Sequence, residues 1–125
     1  MAKPDLKEIK WFPDVEEHDY PAAESYLSLL YNKDRVDDMI ARLRTAAIVP
    51  FKAKDIFRAS QLPLTGLSNS HVENDRKKIQ KGASLSPLLI VRDELHGKAV
   101  IADGYHRLCA IYELDEDAWI QCKII

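Results

Sequence analysis

The sequence predicts an α/β (α+β) fold: a small mixed sheet with a C-terminal βαβ unit, packed against N-terminal helices. Three observations carry this. Apolar runs of strand length occupy 87–91, 98–102 and 119–125, with turn chemistry between them. Residues 21–43 and 70–81 carry apolar side chains at helical spacing. The run Val100-Ile101-Ala102 passes through Asp103-Gly104 into the apolar segment Leu108-Cys109-Ala110-Ile111, a strand-glycine-helix joint.

The 125 residues, 46% of them hydrophobic, suffice for one modest core, so residues 1–125 read as a single domain. Within it, 1–47 form an N-terminal arm and helices and 48–125 form the core. Residues 1–20 show no sustained period and read as an extended arm tied down by Trp11 and Phe12. Asp19-Tyr20-Pro21-Ala22 has the chemistry of a helix start, with proline in the first turn and acids near the positive end. Leu27, Leu30 and Tyr31 form the expected apolar face. Asn32-Lys33-Asp34 breaks the pattern, and Val36, Met39, Ile40 and Leu43 resume it opposite Asp37, Asp38 and Arg42, giving two packed helices or one bent helix.

Ala47 to Lys54 alternates weakly and includes Pro50, the mark of an edge strand, and Asp55 to Ala59 adds a helical turn. Gln61 to Asn69, with Pro63, Gly66 and Ser68, is a loop. Ser70-His71-Val72-Glu73 has the pattern of a capping box, starting a helix that ends at Gly82. Val72 and Ile79 face inward, while Arg76, Lys77, Lys78 and Lys81 make this the most basic segment. Pro87 to Val91 is continuously apolar, as a strand buried on both faces must be. Arg92 to Gly97 turns it back into an antiparallel strand over 98–102. A helix over about Tyr105–Leu114, apolar almost all round, packs against the sheet and the N-terminal helices; after the acidic turn at Asp115-Glu116-Asp117, residues 119–125 close the βαβ unit.

Composition excludes several classes. A net charge of −2 and a pI near 6.1 lack the basic surplus of a dedicated nucleic-acid binder, so DNA contact would need a local patch. Cys109 and Cys122 lie 13 residues apart in apolar surroundings without CxxC spacing and read as buried, reduced thiols. No run is long and apolar enough to span a bilayer and the N-terminus lacks a signal-peptide core, so the expectation is a cytoplasmic protein with no membrane partner. His18, His71, His96 and His106 lack metal-ligand spacing, and no Ser/His/Asp order stands out; a metalloenzyme or triad hydrolase is not expected.

The candidate site is the turn Asp103-Gly104-Tyr105-His106-Arg107. A helix starting there directs unpaired backbone N–H groups, the positive end of its dipole, an imidazole and a guanidinium at one small volume, which should attract an anion. Arg107 can grip phosphate or carboxylate with two parallel bonds, and Gly104 allows close approach. Lys77 and Lys78 would extend the contact as a basic wall for phosphate or DNA. The plainer alternative makes Asp103 the helix cap, Gly104 the bend, and Arg107 half of a salt bridge.

The order Asp-Gly-Tyr-His-Arg-Leu-Cys-Ala, preceded by Val-Ile-Ala and followed by a short helix and a last strand, resembles the Asp-Gly-x-His-Arg-x-x-Ala motif of the ParB/sulfiredoxin superfamily. The resemblance covers roughly residues 70–125, more weakly from 48. It implies a small ParB/sulfiredoxin-like domain whose turn binds nucleotide phosphates, ATP or CTP with Mg²⁺, through Gly104, Tyr105, His106 and Arg107. Branches of the superfamily clamp DNA, repair cysteine sulfinic acid, phosphorylate serine or act as nucleases.

Repair needs a thiolate immediately before the His-Arg pair, where this chain has Tyr105, so that activity is not expected. A full partition protein would continue past the last core strand with further domains, and here that strand ends at Ile125. Kinase or nuclease chemistry needs a base or a metal-binding carboxylate near the phosphates; Asp103, also the expected Mg²⁺ ligand, fills that role with His106, and Glu73 is a further candidate. The leading expectation is Mg²⁺-dependent hydrolysis or phosphoryl transfer on a bound nucleotide. A DNA-associated module or nuclease, and a non-catalytic partner-binding protein of phage or plasmid type, are the alternatives.

Overall fold

The computed structural model describes residues 8–64 and 69–125. In chain order its elements are β1 (Lys10–Trp11), α1 (Asp19–Leu27), α2 (Lys33–Thr45), β2 (Ile48–Lys52), α3 (Ala53–Ser60), α4 (Ser70–Lys81), β3 (Ser84–Leu85), β4 (Leu88–Asp93), β5 (Lys98–Asp103), α5 (Tyr105–Leu114) and β6 (Trp119–Ile124). The mixed α+β class is as expected. Residues 65–68 of the expected 61–69 loop lie outside the described residues, as does the start of the N-terminal arm. Among the described residues, no helix is long and apolar enough to cross a membrane.

The main sheet has the order β2-β6-β4-β5, and β1 pairs with β3 in a small parallel ribbon. The apolar strand β4 occupies an interior position, antiparallel to β5 and parallel to β6. This corrects the expected βαβ unit: β5 and β6 run in opposite directions with β4 between them. The hairpin uses one edge of β4, and β6 takes the other because a strand so apolar must be paired on both sides.

Alternate residues of the sheet serve two cores. Leu88, Ile90, Ile101, Ile120 and Cys122 pack with α3, α4 and α5, whereas Leu89, Val91, Val100 and Ala102 pack with α1 and α2. The sheet therefore separates α5 from the N-terminal helices, against the expectation that they pack together. The single-residue alternation also explains why residues 88–91 are apolar without a break.

Two local expectations change as well. Helix α1 ends at Leu27, which is buried with Tyr20 and Ala23; Leu30 lies beyond the helix and is exposed. Helix α4 is capped by Asn69 rather than Ser70, its side chain accepting from the N–H groups of His71 and Val72. Glu73 does not close a capping box but pairs with Arg76 through two hydrogen bonds. Gly82 ends the helix at φ 76°, as the sequence indicates.

Candidate functional site

At the end of β5 the chain turns through Gly104, at φ 106°, straight into α5. A side chain here would be strained, since a left-handed backbone disfavours a Cβ, and it would also have no room. A Cβ would lie 2.7 Å from Leu88 Cγ and 2.9 Å from Arg107 Nη2. The glycine thus serves close packing of the turn on β4 and on Arg107. Among the described residues no side chain caps the N-terminus of α5.

That N-terminus opens onto a polar cavity of about 260 Å³. Helix α4 lines one wall with His71, Asn74, Asp75 and Lys78; Asp103 to Arg107 form the other. Positions 71, 74, 75 and 78 recur at three- and four-residue spacing, so one stripe of α4 faces the cavity. The structure brings Lys78 together with Asp103, Gly104, Tyr105, His106 and Arg107. Lys77, one position round the helix, does not line the cavity, and neither does Glu73.

Arg107 is not the free anion grip that its position suggested. Its Nη2 donates to Asp103 Oδ2 at 3.1 Å and lies 3.5 Å from Asp19 Oδ2 on α1. The salt-bridge alternative thus holds for Arg107, with a second carboxylate that the sequence had not indicated. Asp19 is buried, only 4% exposed, although His18 Nε2 reaches its Oδ1 at 3.2 Å. Asp19 Oδ2 and Arg107 Nε are buried and, among the described residues, have no hydrogen-bond partner.

This environment moves proton affinities in opposite directions. Burial raises the Asp103 carboxyl above the ordinary aspartate range; Arg107 works against that rise and Asp19 adds to it. Asp75 is also raised by burial, against the pull of Arg107, Lys78 and both cavity imidazoles. His106 is held below the usual histidine value, first by burial and then by the neighbouring His71. The two imidazoles stack with centroids 4.9 Å apart. Tyr105 is tilted against His106, and its hydroxyl donates to the Pro63 carbonyl.

Magnesium fits poorly here. Asp103, the expected ligand, already accepts from Arg107, and among the described residues no three His, Cys, Asp or Glu side chains form a group able to hold a metal ion. Both cysteines are buried free thiols, and burial pushes the Cys122 thiol up to about 11; neither lines the cavity. Comparison of the chain with protein-family models, curated proteins and solved structures finds no match to any of them.

Three titratable residues at the site went unnoticed in the sequence. His71 and Asp75 could have been found from the helical stripe they share with Lys78, which points to one side of a helix beside the inward-facing Val72 and Ile79. Asp19 had no such signal. Its role depends on α1 docking beside the end of β5, a contact between segments more than 80 residues apart.

Proposed function

We propose that the chain is a phosphate-binding domain whose ligand is a nucleotide, ATP or CTP being the expected forms, held between α4 and the start of α5. One observation supports this most: the uncapped N-terminus of α5, Lys78 and two imidazoles converge on one polar cavity. Helix-terminal N–H groups and a lysine are the donors a phosphate needs. The likeness of Asp103 to Arg107 to the ParB/sulfiredoxin turn gives independent support.

The reading is one of binding. Hydrolysis or phosphoryl transfer with Asp103 as base would require that carboxylate to leave Arg107, and no step is assigned to Mg²⁺. Arg107 acts as a positioning residue, fixing Asp103 and the turn while Lys78 and the helix terminus meet the ligand.

Calorimetric titration of ATP and CTP tests the proposal. Lys78→Ala should weaken binding about tenfold or more, the loss expected for a hydrogen bond to a charged group, and Lys77→Ala should leave it unchanged. No measurable binding, or equal losses from the two lysines, would remove the assignment. A DNA-associated reading is favoured only by the exposed row of Lys77, Lys78 and Lys81 on α4. It predicts affinity that falls steeply with salt and depends equally on all three lysines.

A further inference from the structure

The cavity carries a charge imbalance. Among the described residues, two permanent cations meet there, Lys78 from α4 and Arg107 from α5. Against them stand three carboxylates: Asp75 from α4, Asp103 from β5, and Asp19 from α1 behind Arg107. With both imidazoles neutral the cluster holds one excess negative charge. A phosphate dianion adds to that negative charge, which the partial positive charge at the N-terminus of α5 offsets only in part.

The only cavity groups whose ordinary titration range allows them to supply that charge near neutral pH are the stacked pair, His71 on α4 and His106 at the start of α5. A neutral imidazole can donate only one hydrogen bond, whereas an imidazolium donates two and carries charge. Two stacked rings 4.9 Å apart disfavour a double positive charge in the empty cavity, and a bound dianion lifts that penalty.

We infer that the His71–His106 pair determines which phosphate this cavity accepts: a terminal phosphate monoester entering as a dianion together with one proton taken up by the pair. A phosphodiester, carrying one negative charge and no dianionic form, lacks the second charge that drives the uptake. The inference rests on the phosphate-binding reading of the same cavity and extends it to the ionic form of the ligand and to the residues that select it.

The full chain is titrated with AMP, with CMP, with inorganic phosphate and with 3′,5′-cyclic AMP, at pH 7.0 to 8.5 and in buffers of different ionisation enthalpy. The monoesters should bind with uptake of about one proton, so that affinity falls about tenfold per pH unit across this range. The cyclic diester should bind at least tenfold more weakly at pH 7.0 and without that slope. Inorganic phosphate sharing the slope at the alkaline end of the range, where it too is mostly dianionic, identifies the phosphate group as the recognised chemistry; a slope confined to the nucleotides there assigns the base and sugar a part in closing the site on the same proton.

His71→Gln, at an exposed position that leaves the fold intact, should abolish the uptake and flatten the pH profile, and His106→Gln should do the same. Monoester binding with no proton uptake, equal binding of the diester, or an unchanged slope in both glutamine variants would overturn the inference while leaving the phosphate-binding reading in place. Absence of binding by every probe would overturn the inference, and absence of ATP and CTP binding as well would remove both.

Discussion

Two cations, the buried Lys123 and the half-buried Arg107, meet adjacent residues of α1 and are treated very differently. Lys123 points from β6 into the layer beneath α1 and α2, where its Nζ donates to Tyr20 Oη at 3.1 Å and to the Arg44 carbonyl at 2.9 Å, with Asp14 Oδ1 at 3.2 Å. Three oxygens thus surround an ammonium that has three protons to give. The hydrogen bond to Tyr20 and the pairing with Asp14 raise its proton affinity more than burial lowers it. Arg107 shares a single Nη2 between two carboxylates, and its buried Nε has no hydrogen-bond partner among the described residues. What separates the two cations is the completeness of their hydrogen bonding.

Breaking the Arg107 side at its most crowded point should have the largest effect. Gly104→Ala places a methyl group 2.9 Å from Arg107 Nη2 and 2.7 Å from Leu88 Cγ at φ 106°. Backbone strain and overpacking together should cost about 3 to 4 kcal/mol in urea unfolding. The same hydrophobic replacement then compares the two cations directly. Arg107→Met leaves the buried Asp19 carboxylate with only the exposed His18 beside it and should cost about 3 kcal/mol at pH 7. Lys123→Met strands only neutral oxygens and the exposed Asp14, and should cost about 2 kcal/mol. Equal losses would mean that the difference in hydrogen bonding has no energetic weight.

The pH dependence of the two methionine variants sharpens the contrast further. Loss of Arg107 removes the charge that opposes the rise at Asp103, so the folded-state proton affinity of Asp103 moves still further above that of the unfolded chain. A carboxyl raised in this way favours folding while protonated and loses that contribution as pH rises through its folded value. The gap between Arg107→Met and the wild type should therefore widen from pH 4 to pH 7, and that between Lys123→Met and the wild type much less. The smallest effect concerns Asp103 in the intact protein. Its raised proton affinity means that Asp103→Asn should gain stability relative to the wild type as pH increases from 4 to 7, and carbon-detected titration of Asp103 should give a midpoint above the ordinary aspartate value.

The fold was largely legible because its signals are local. The continuous apolar run at 88–91, the helix end at Gly82 and the glycine joint at 103–104 each follow from neighbours in sequence. The errors arose where partners are distant. Nothing in residues 98–125 reveals that β6 pairs with β4, since that choice depends on which edge of the central strand remains free. The turn itself was found, and the salt-bridge alternative for Arg107 was named, but its second carboxylate was not, for the same reason. Its guanidinium suits a phosphate and a carboxylate equally, and the deciding carboxylate, Asp19, comes from the opposite layer of the fold. On α4 the difficulty was angular: Lys77 and Lys78 are adjacent in sequence but about 100° apart around the helix, and only the second reaches the cavity.

The adjacency of Asp19 and Tyr20 has a mechanical consequence. The first residue of α1 holds α5 through Arg107, and the second holds β6 through Lys123. Lifting this end of α1 severs both connections at once, so the helix and the cavity turn form one cooperative opening unit. Amide hydrogens of α1 and of the first turn of α5 should exchange with a common opening free energy, and a ligand that tightens the turn should slow exchange in a helix on the far face of the sheet.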